Sequence, residues 1–227
     1  IRMGTLNAAA YFGLHDMGAV APGYKADLAV FDDLRTLNVK QVYKGGKLVA
    51  ENGKMLHQKE KNTDWSTEIK ERVFHSFHRV PITVEELQLK ETTGTHQRVI
   101  DMVAHELITK ERIEEWKELP GVAPGVDISR DIVKLAAIER HKNTGHVGLG
   151  FLGKYGLKKG AVATSIGHDS HNLVIAGVTD EDMVLAGNRV IENGGGLAIA
   201  LEGKVLADLP LPIGGLMADE PVEVVDE

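Results

Sequence analysis

Five consecutive polar residues, His168 to Asn172, stand between two apolar stretches of the sequence. The surrounding segment reads TSIGHDSHNL over residues 164–173, with GAVATSI leading into the cluster and LVIAGV following it. Imidazole and carboxylate groups serve both as metal ligands and as general acids and bases. Each polar group buried without a partner would cost on the order of 1–3 kcal/mol. The cluster is therefore expected to be solvated, internally paired or directed at a polar ligand.

The roles open to these five residues depend on the backbone that carries them. On an extended strand end, Asp169 and His171 face one way and the other three side chains face the opposite way. In a turn, the side chains can converge. A simple connecting turn is an alternative, because Asp, Ser and Asn are favoured in turns. A connecting turn does not require two histidines, so a functional site is the other interpretation.

A second pair of histidines lies in the segment ERHKNTGHVGLG, at His141 and His146. A five-residue spacing is not a strong metal signature, and polar loop histidines are the simpler interpretation. An independent metal site nevertheless remains an alternative. It would be built from His168, Asp169, His171 and either His141 or His146.

Three further features favour structural roles. The segment HSFH places His75 and His78 three residues apart, as expected of surface histidines. Gly194–Gly196 follow a predicted helix, whereas a phosphate-binding loop needs glycines at a helix N-terminus, so a helix stop is expected there. Asp27 lies between a turn and a strand, where a carboxylate is expected to accept structural hydrogen bonds.

The composition narrows the class of protein. The chain has 227 residues, 43% of them apolar and 26% charged, with a formal net charge of −7. There is no cysteine, which excludes disulfides, thiolate metal sites and a cysteine nucleophile. The acidic balance without a basic stripe argues against a nucleic-acid partner. No apolar run approaches a membrane span and no signal peptide is recognisable, so no membrane partner and a cytoplasmic location are expected.

The pattern of apolar and turn residues divides the chain into segments. Short alternating strands with Gly45-Gly46 and Asn52-Gly53 turns predict part of a small β-sandwich. A polar stretch then predicts a linker, and a longer mixture of strands and helix predicts an α+β domain. DEDMVLAGNRVIE is the strongest helix prediction, with Asp180 as its N-cap, whereas DIVKLAAIER is compatible with helix or strand. The predicted segments are 1–14, the end of a helix; 15–56, the sandwich segment; 57–70, the linker; 71–217, the α+β domain; and 218–227, an acidic tail.

Two stretches of the sequence resemble parts of a known superfamily. TLNAAAYFGLHDMGAVAPGYKADLAVFDD resembles the end of the amidohydrolase pattern, in which a last barrel helix leads back into a small β-sandwich. DIVKLAAIERHKNTGHVGLGFLGKYGLKKGAVATSIGHDSHNLVIAG and GGGLAIALEGKVLADLPLPIGGLM resemble the C-terminal domain of microbial adenine deaminases. The first match is general to the superfamily and the second is specific. Together they cover most of the chain.

The resemblance implies the hydrolysis of adenine to hypoxanthine and ammonia, in purine salvage or catabolism. It implies a divalent metal, Mn or Fe in a binuclear centre, held by a TIM-like barrel that begins with a His-x-His pair. No His-x-His occurs in the 227 residues. The barrel is therefore expected to lie outside this chain, which is expected to be a C-terminal portion that binds no metal and is inactive alone.

The resemblance also suggests roles and partners. His168, Asp169 and His171 are expected to support catalysis, and Ser170 and Asn172 to bind substrate. The expected partners are adenine, the N-terminal barrel of the same protein and further copies in a homo-oligomer. The alternative is a structural or oligomerisation domain of an amidohydrolase, in which the polar cluster serves only its own fold.

Overall fold

The computed structural model describes residues 1–56, 65–89 and 94–226 and divides the chain into two compact units, Ile1–Asp64 and Trp65–Glu227. The first unit begins with a 3-10 turn, Arg2–Gly4, and the short helix α1, Leu6–Tyr11. Its four antiparallel strands lie in chain order in one sheet. They are β1, Leu28–Phe31; β2, Val39–Lys44; β3, Lys47–Glu51; and β4, Lys54–Met55.

The β2–β3 turn of the first unit is held by a carboxylate. Asp27 accepts a hydrogen bond from the Gly45 amide over 2.8 Å and contacts Lys44. These bonds lower the pKa of Asp27, with the Lys44 contact as the largest cause. The structural role predicted for Asp27 and the Gly45-Gly46 hairpin are thus confirmed. One sheet is described in this unit, and the two-sheet sandwich stays a prediction.

The second unit is built on one eight-stranded sheet of order β12-β11-β9-β10-β7-β8-β5-β6. Its pairings are antiparallel except that of β5 with β8, which is parallel. The strands are β5, His96–Met102; β6, Thr109–Glu115; β7, Ile132–Ile138; β8, Val147–Gly153; β9, Ala161–Thr164; β10, Leu173–Gly177; β11, Gly196–Leu201; and β12, Lys204–Pro210. The helices are α2, Thr67–Phe74; α3, Asp180–Glu192; and α4, Val222–Val225.

The main core lies between α3 and one face of this sheet. Met183, Ala186 and Val190 of the helix are buried against Ile175 and Ala198 of the strands. The helix approaches closely because residue 187 is glycine: a Cβ there would lie 2.6 Å from the Ile175 side chain. A smaller apolar cluster around Val126, Val133 and Val178 is separate from it. Helices and mostly antiparallel sheets together confirm the α+β class, and neither described sheet is a closed barrel.

Three boundaries differ from the predictions. Residues 57–64 of the predicted linker lie outside the described residues, but 67–70 form the first turn of α2, because the Ser66 hydroxyl caps that helix by accepting from the Ile69 amide. The predicted tail 218–227 contains α4. The N-cap of α3 is Thr179 rather than Asp180, since the Thr179 hydroxyl accepts from the Asp182 amide over 3.3 Å.

Candidate functional site

The polar cluster lies in the hairpin loop between β9 and β10. The two strands are antiparallel neighbours, with Ala163 opposite Ile175, and the loop 165–172 connects them at one end of the sheet. β10 also pairs with β7, and Leu173 lies opposite Ile138. The residues that follow β7 therefore lie beside the loop.

Two left-handed residues shape this loop. Asp169 and His171 have φ angles of 69° and 49°. The Ser170 amide donates to the His168 carbonyl over 3.0 Å, and the His171 amide donates to the Gly167 carbonyl over 2.6 Å. The five residues are thus arranged in a turn, and the alternation expected of an extended strand end does not apply to them.

The side chains at the tip of the loop face solvent. His168 and Asp169 are 96% and 95% exposed, and Nδ1 of His168 lies 3.2 Å from Oδ1 of Asp169. Ser170 is also exposed, while His171 and Asn172 are half-buried. The centres of the His168 and His171 rings are 6.4 Å apart. The loop therefore presents an imidazole–carboxylate pair with a second imidazole close behind it.

The His171 ring is unusual in its hydrogen bonding. Its Nδ1 atom is buried and has no hydrogen-bond partner among the described residues. Buried polar atoms are nearly always paired. Nδ1 of His171 is therefore an exception to this rule, located directly beside the loop tip.

Two residues that the sequence did not single out as a pair hold the loop from the side. Arg140 Nε donates to the His171 carbonyl over 2.6 Å. His141 Nε2 lies 2.9 Å from the Ser170 carbonyl, and because a carbonyl only accepts, this nitrogen carries the proton. His141 was expected as a loop histidine or a metal ligand. It is an exposed loop histidine, as the simpler interpretation predicted, and its ring nitrogen donates a hydrogen bond to the neighbouring loop.

The segment that carries Arg140 and His141 is itself fixed by Glu139. The Glu139 carboxylate accepts from the amides of His141, Lys142 and Thr144 over 2.5, 2.8 and 2.9 Å and from the Thr144 hydroxyl. These bonds, led by that of the Thr144 amide, lower the pKa of Glu139 to about 2. The carboxylate is therefore ionised at neutral pH and holds the turn after β7.

Ser165 ties the base of the loop to two distant segments. The side chain is buried, and its hydroxyl donates to the Gly215 carbonyl over 2.6 Å and accepts from the Gly196 amide over 2.7 Å. Gly194–Gly196 end α3 and lead into β11, as predicted, with φ angles of 69°, 128° and 134°. A serine at the end of an apolar stretch carries no sequence signal that marks it for this role.

His75, His78 and His146, the other histidines considered from the sequence, are not part of the cluster. His146 and His75 are exposed, and His75 lies 3.8 Å from Glu71. In residues 1–56, 65–89 and 94–226 no three His, Cys, Asp or Glu side chains are grouped so that they could hold a metal ion. This geometry does not support the alternative of an independent metal site at His168, Asp169 and His171.

Among the described helices, none is long and apolar enough to cross a membrane.

Comparison with known proteins identifies families that match two parts of the chain. The family described as Adenine deaminase C-terminal domain matches residues 106–227, more than half of the chain, and includes the loop and its neighbours. The Amidohydrolase family matches residues 1–49.

Named relatives align with the whole chain. Adenine deaminase 2 of Carboxydothermus hydrogenoformans is 43% identical over 100% of the chain and 38% of its own length. The adenine deaminase of Lysinibacillus sphaericus is 42% identical with the same coverage, and that of Oleidesulfovibrio alaskensis is 44% identical over 99% of the chain and 37% of its own length. The chain thus spans less than two fifths of the length of these relatives. By the match over residues 106–227, the chain belongs to the adenine deaminase C-terminal domain family.

Proposed function

We propose that this chain is the C-terminal part of a metal-dependent adenine deaminase, which converts adenine and water to hypoxanthine and ammonia in purine salvage or catabolism. The observation that carries the proposal is the family match over residues 106–227. Relatives named adenine deaminase, 42–44% identical over nearly the whole chain, support it.

The metal centre belongs, in this proposal, to the rest of the protein. The amidohydrolase match at residues 1–49 fits a divalent metal, Mn or Fe in a binuclear site. The described residues of this chain do not fit such a centre, because they contain no group of three suitable ligands. In this proposal the chain therefore contributes to binding adenine, to orienting it and to proton transfer.

The β9–β10 loop is the part of the chain best suited to that work. The exposed His168–Asp169 pair offers both a donor and an acceptor, which complement the ring nitrogens and amino group of adenine. A leaving ammonia needs a proton, and an imidazole or carboxyl group is able to supply it. In this proposal His168, Asp169 and His171 support catalysis, while Ser170 and Asn172 bind the base.

The same proposal includes a partner for the first unit. Met3, Tyr11 and Phe12, in and beside α1, are 82%, 83% and 71% exposed. Large apolar side chains gathered at one element are typical of an interaction surface. We assign this surface to the N-terminal barrel of the same protein, within a cytoplasmic homo-oligomer.

Adenine turnover tests the function. The whole protein, loaded with Mn²⁺ or Fe²⁺, is expected to release hypoxanthine at an ordinary enzymatic rate, of order 1 s⁻¹ or above. The 227-residue chain under the same conditions is expected to show none. No hypoxanthine from the metal-loaded whole protein would overturn the proposed activity, and turnover by the chain alone would overturn the assignment of the chemistry to the barrel.

A second candidate function is a purely structural domain. It is favoured by the hydrogen bonds of Ser170 and His171, whose carbonyls accept from His141 and Arg140 within the same fold. The two candidates separate when the exposed side chains of the loop are removed from the whole enzyme. A structural loop tolerates their loss, whereas a loop that contacts substrate does not.

A further inference from the structure

Arg140 is a buried cation without a counter-ion among the described residues. It follows β7, is 1% exposed, and its guanidinium lies 4.8 Å from the centre of the Phe77 ring. Burial lowers its pKa from the ordinary value, yet an arginine stays protonated in proteins. Burying a charge is costly unless its hydrogen bonds are satisfied. The partners of this guanidinium therefore explain its presence.

Those partners are main-chain carbonyls from three separate segments. Arg140 donates to the carbonyls of His171, Gly214 and Ser76 over 2.6, 3.1 and 3.5 Å. Its own carbonyl accepts from the His78 amide over 2.8 Å. The planar guanidinium directs its donors in several fixed directions at once, which the single ammonium of lysine does not. Arg140 thus joins the β9–β10 loop to the segments after α2 and after β12.

The space around the guanidinium is closed on the side of Gly215. A Cβ on that residue would come within 2.7–2.9 Å of the guanidinium atoms, and its φ is 73°. Glycine is required at such a position both for the contact and for the left-handed conformation. The main chain at Gly215 therefore lies directly against the guanidinium, and a side chain there would displace it.

The loop that Arg140 holds is conformationally unfavourable by itself. His171, whose carbonyl is the acceptor, has a φ of 49°, and Asp169 has one of 69°. Left-handed non-glycine residues cost on the order of 1–3 kcal/mol each and persist only where surrounding contacts fix them. The Arg140 and His141 hydrogen bonds, to consecutive carbonyls, are contacts of this kind.

We propose that Arg140 is a positioning residue for the β9–β10 loop: it fixes the His171 main chain, and through it the placement of His168, Asp169 and the His171 ring toward substrate. This inference rests on the proposed function. Arg140 itself touches no reacting atom. Its loss should loosen the loop first and lower turnover as a consequence.

Hydrogen exchange of the whole protein tests whether Arg140 fixes the loop. In Arg140→Ala, amides of residues 167–173 should exchange about tenfold faster, the change expected when one charge-assisted hydrogen bond is lost. Arg140→Lys should give a smaller increase. The control is Arg130→Ala, at the opposite end of β7, where the arginine binds Asp127 and Glu114. It should leave the loop unchanged. Unchanged loop exchange in both Arg140 variants would overturn the proposal, and Arg140→Lys carries the test if Arg140→Ala does not fold.

Turnover of the whole protein tests whether this positioning matters for catalysis. Arg140→Ala should lower kcat on the order of 100-fold, the scale of a small misplacement of catalytic groups. Free guanidinium ion should restore part of this activity, compared with sodium chloride at equal ionic strength, and should not change Arg130→Ala. An equal loss of kcat in Arg130→Ala, or no rescue, would contradict a positioning role. If the wild-type protein does not deaminate adenine, the proposed function fails and the exchange result alone decides whether Arg140 holds the loop.

Discussion

Lys134 and Asp180 form an ion pair in the interior of the second unit, with Nζ of the lysine 2.7 Å from Oδ1 of the aspartate. Their side chains are 1% and 10% exposed. Lys134 belongs to β7 and Asp180 to the first turn of α3, where a carboxylate also faces the positive end of the helix dipole. The pair therefore joins the helix to the centre of the sheet.

Removing one member of this pair should be strongly destabilising. Lys134→Met leaves a buried carboxylate without its counter-charge, and we expect the free energy of unfolding to fall by about 3–5 kcal/mol. Urea denaturation measures it. The control is Lys159→Met, because Lys159 pairs with Glu202 at the surface over 3.8 Å, and its loss should cost less than about 1 kcal/mol. Equal effects of the two substitutions would show that the buried pair contributes little.

The loop histidines and aspartate should affect turnover more than stability. In the whole protein, we expect at least one of His168→Ala, Asp169→Asn and His171→Ala to lose on the order of 100-fold in kcat, the scale of a positioned acid or base. Steady-state kinetics are measured beside melting temperature and bound metal. His96→Ala, an exposed histidine at the start of β5, is the matched control. If all three loop variants turn over adenine like the wild type, or fail only by unfolding, the cluster is structural.

Protonation of Asp127 at acid pH should destabilise the second unit. Bonds from the Ser129 hydroxyl and Arg130 lower the pKa of Asp127 from 3.8 to about 2, with Ser129 as the largest cause. A lowered pKa contributes stability that is complete above about pH 4 and is lost as pH falls toward 2. This contribution amounts to roughly 2 kcal/mol. Urea denaturation between pH 6 and pH 3 should show the wild type losing about half of its advantage over Asp127→Asn. A pH-independent difference would contradict the assignment.

The cap of α3 should make a smaller contribution. The Thr179 hydroxyl accepts from the Asp182 amide, so Thr179→Ala should lower the free energy of unfolding by about 1 kcal/mol. Thr179→Ser keeps the hydroxyl and should stay close to the wild type. Denaturation of both variants side by side measures the difference. Equal losses would mean that the methyl group, and not the hydrogen bond, matters.

The local parts of the fold were predictable where one pattern dominates. The Gly45-Gly46 hairpin and α3 follow from turn residues and helical periodicity. The segment DIVKLAAIER was undecided because β7 is a central strand with most of its residues buried, Lys134 among them, so it lacks the alternation of a half-exposed strand. Thr179 and Asp180 are both good N-caps, and only the backbone geometry distinguishes them.

The site was predictable only in its exposed part. The run of five polar residues from His168 to Asn172, between two apolar stretches, indicates the loop from the sequence alone. The contacts of Arg140 and Ser165 join residues 31 and 50 positions apart, and no sequence period reports such pairings. A single arginine after an apolar stretch is normally a solvated side chain. Its burial follows from the strand order, which places the end of β7 beside the start of β10.

The strand order also has a consequence for synthesis of the chain. β5 pairs with β8 at Ile100↔Leu152 and Asp101↔Gly153, about 50 residues later. At roughly 5–20 residues per second, the β5–β6 hairpin leaves the ribosome several seconds before β8 exists. Its unpaired edge is exposed to other nascent chains during that time. Arg98 and Asp101 place charges on β5, the strand whose edge is unpaired, and charged edge strands resist pairing with foreign edges. These charges reduce pairing of the hairpin with other chains until β8 has been synthesised.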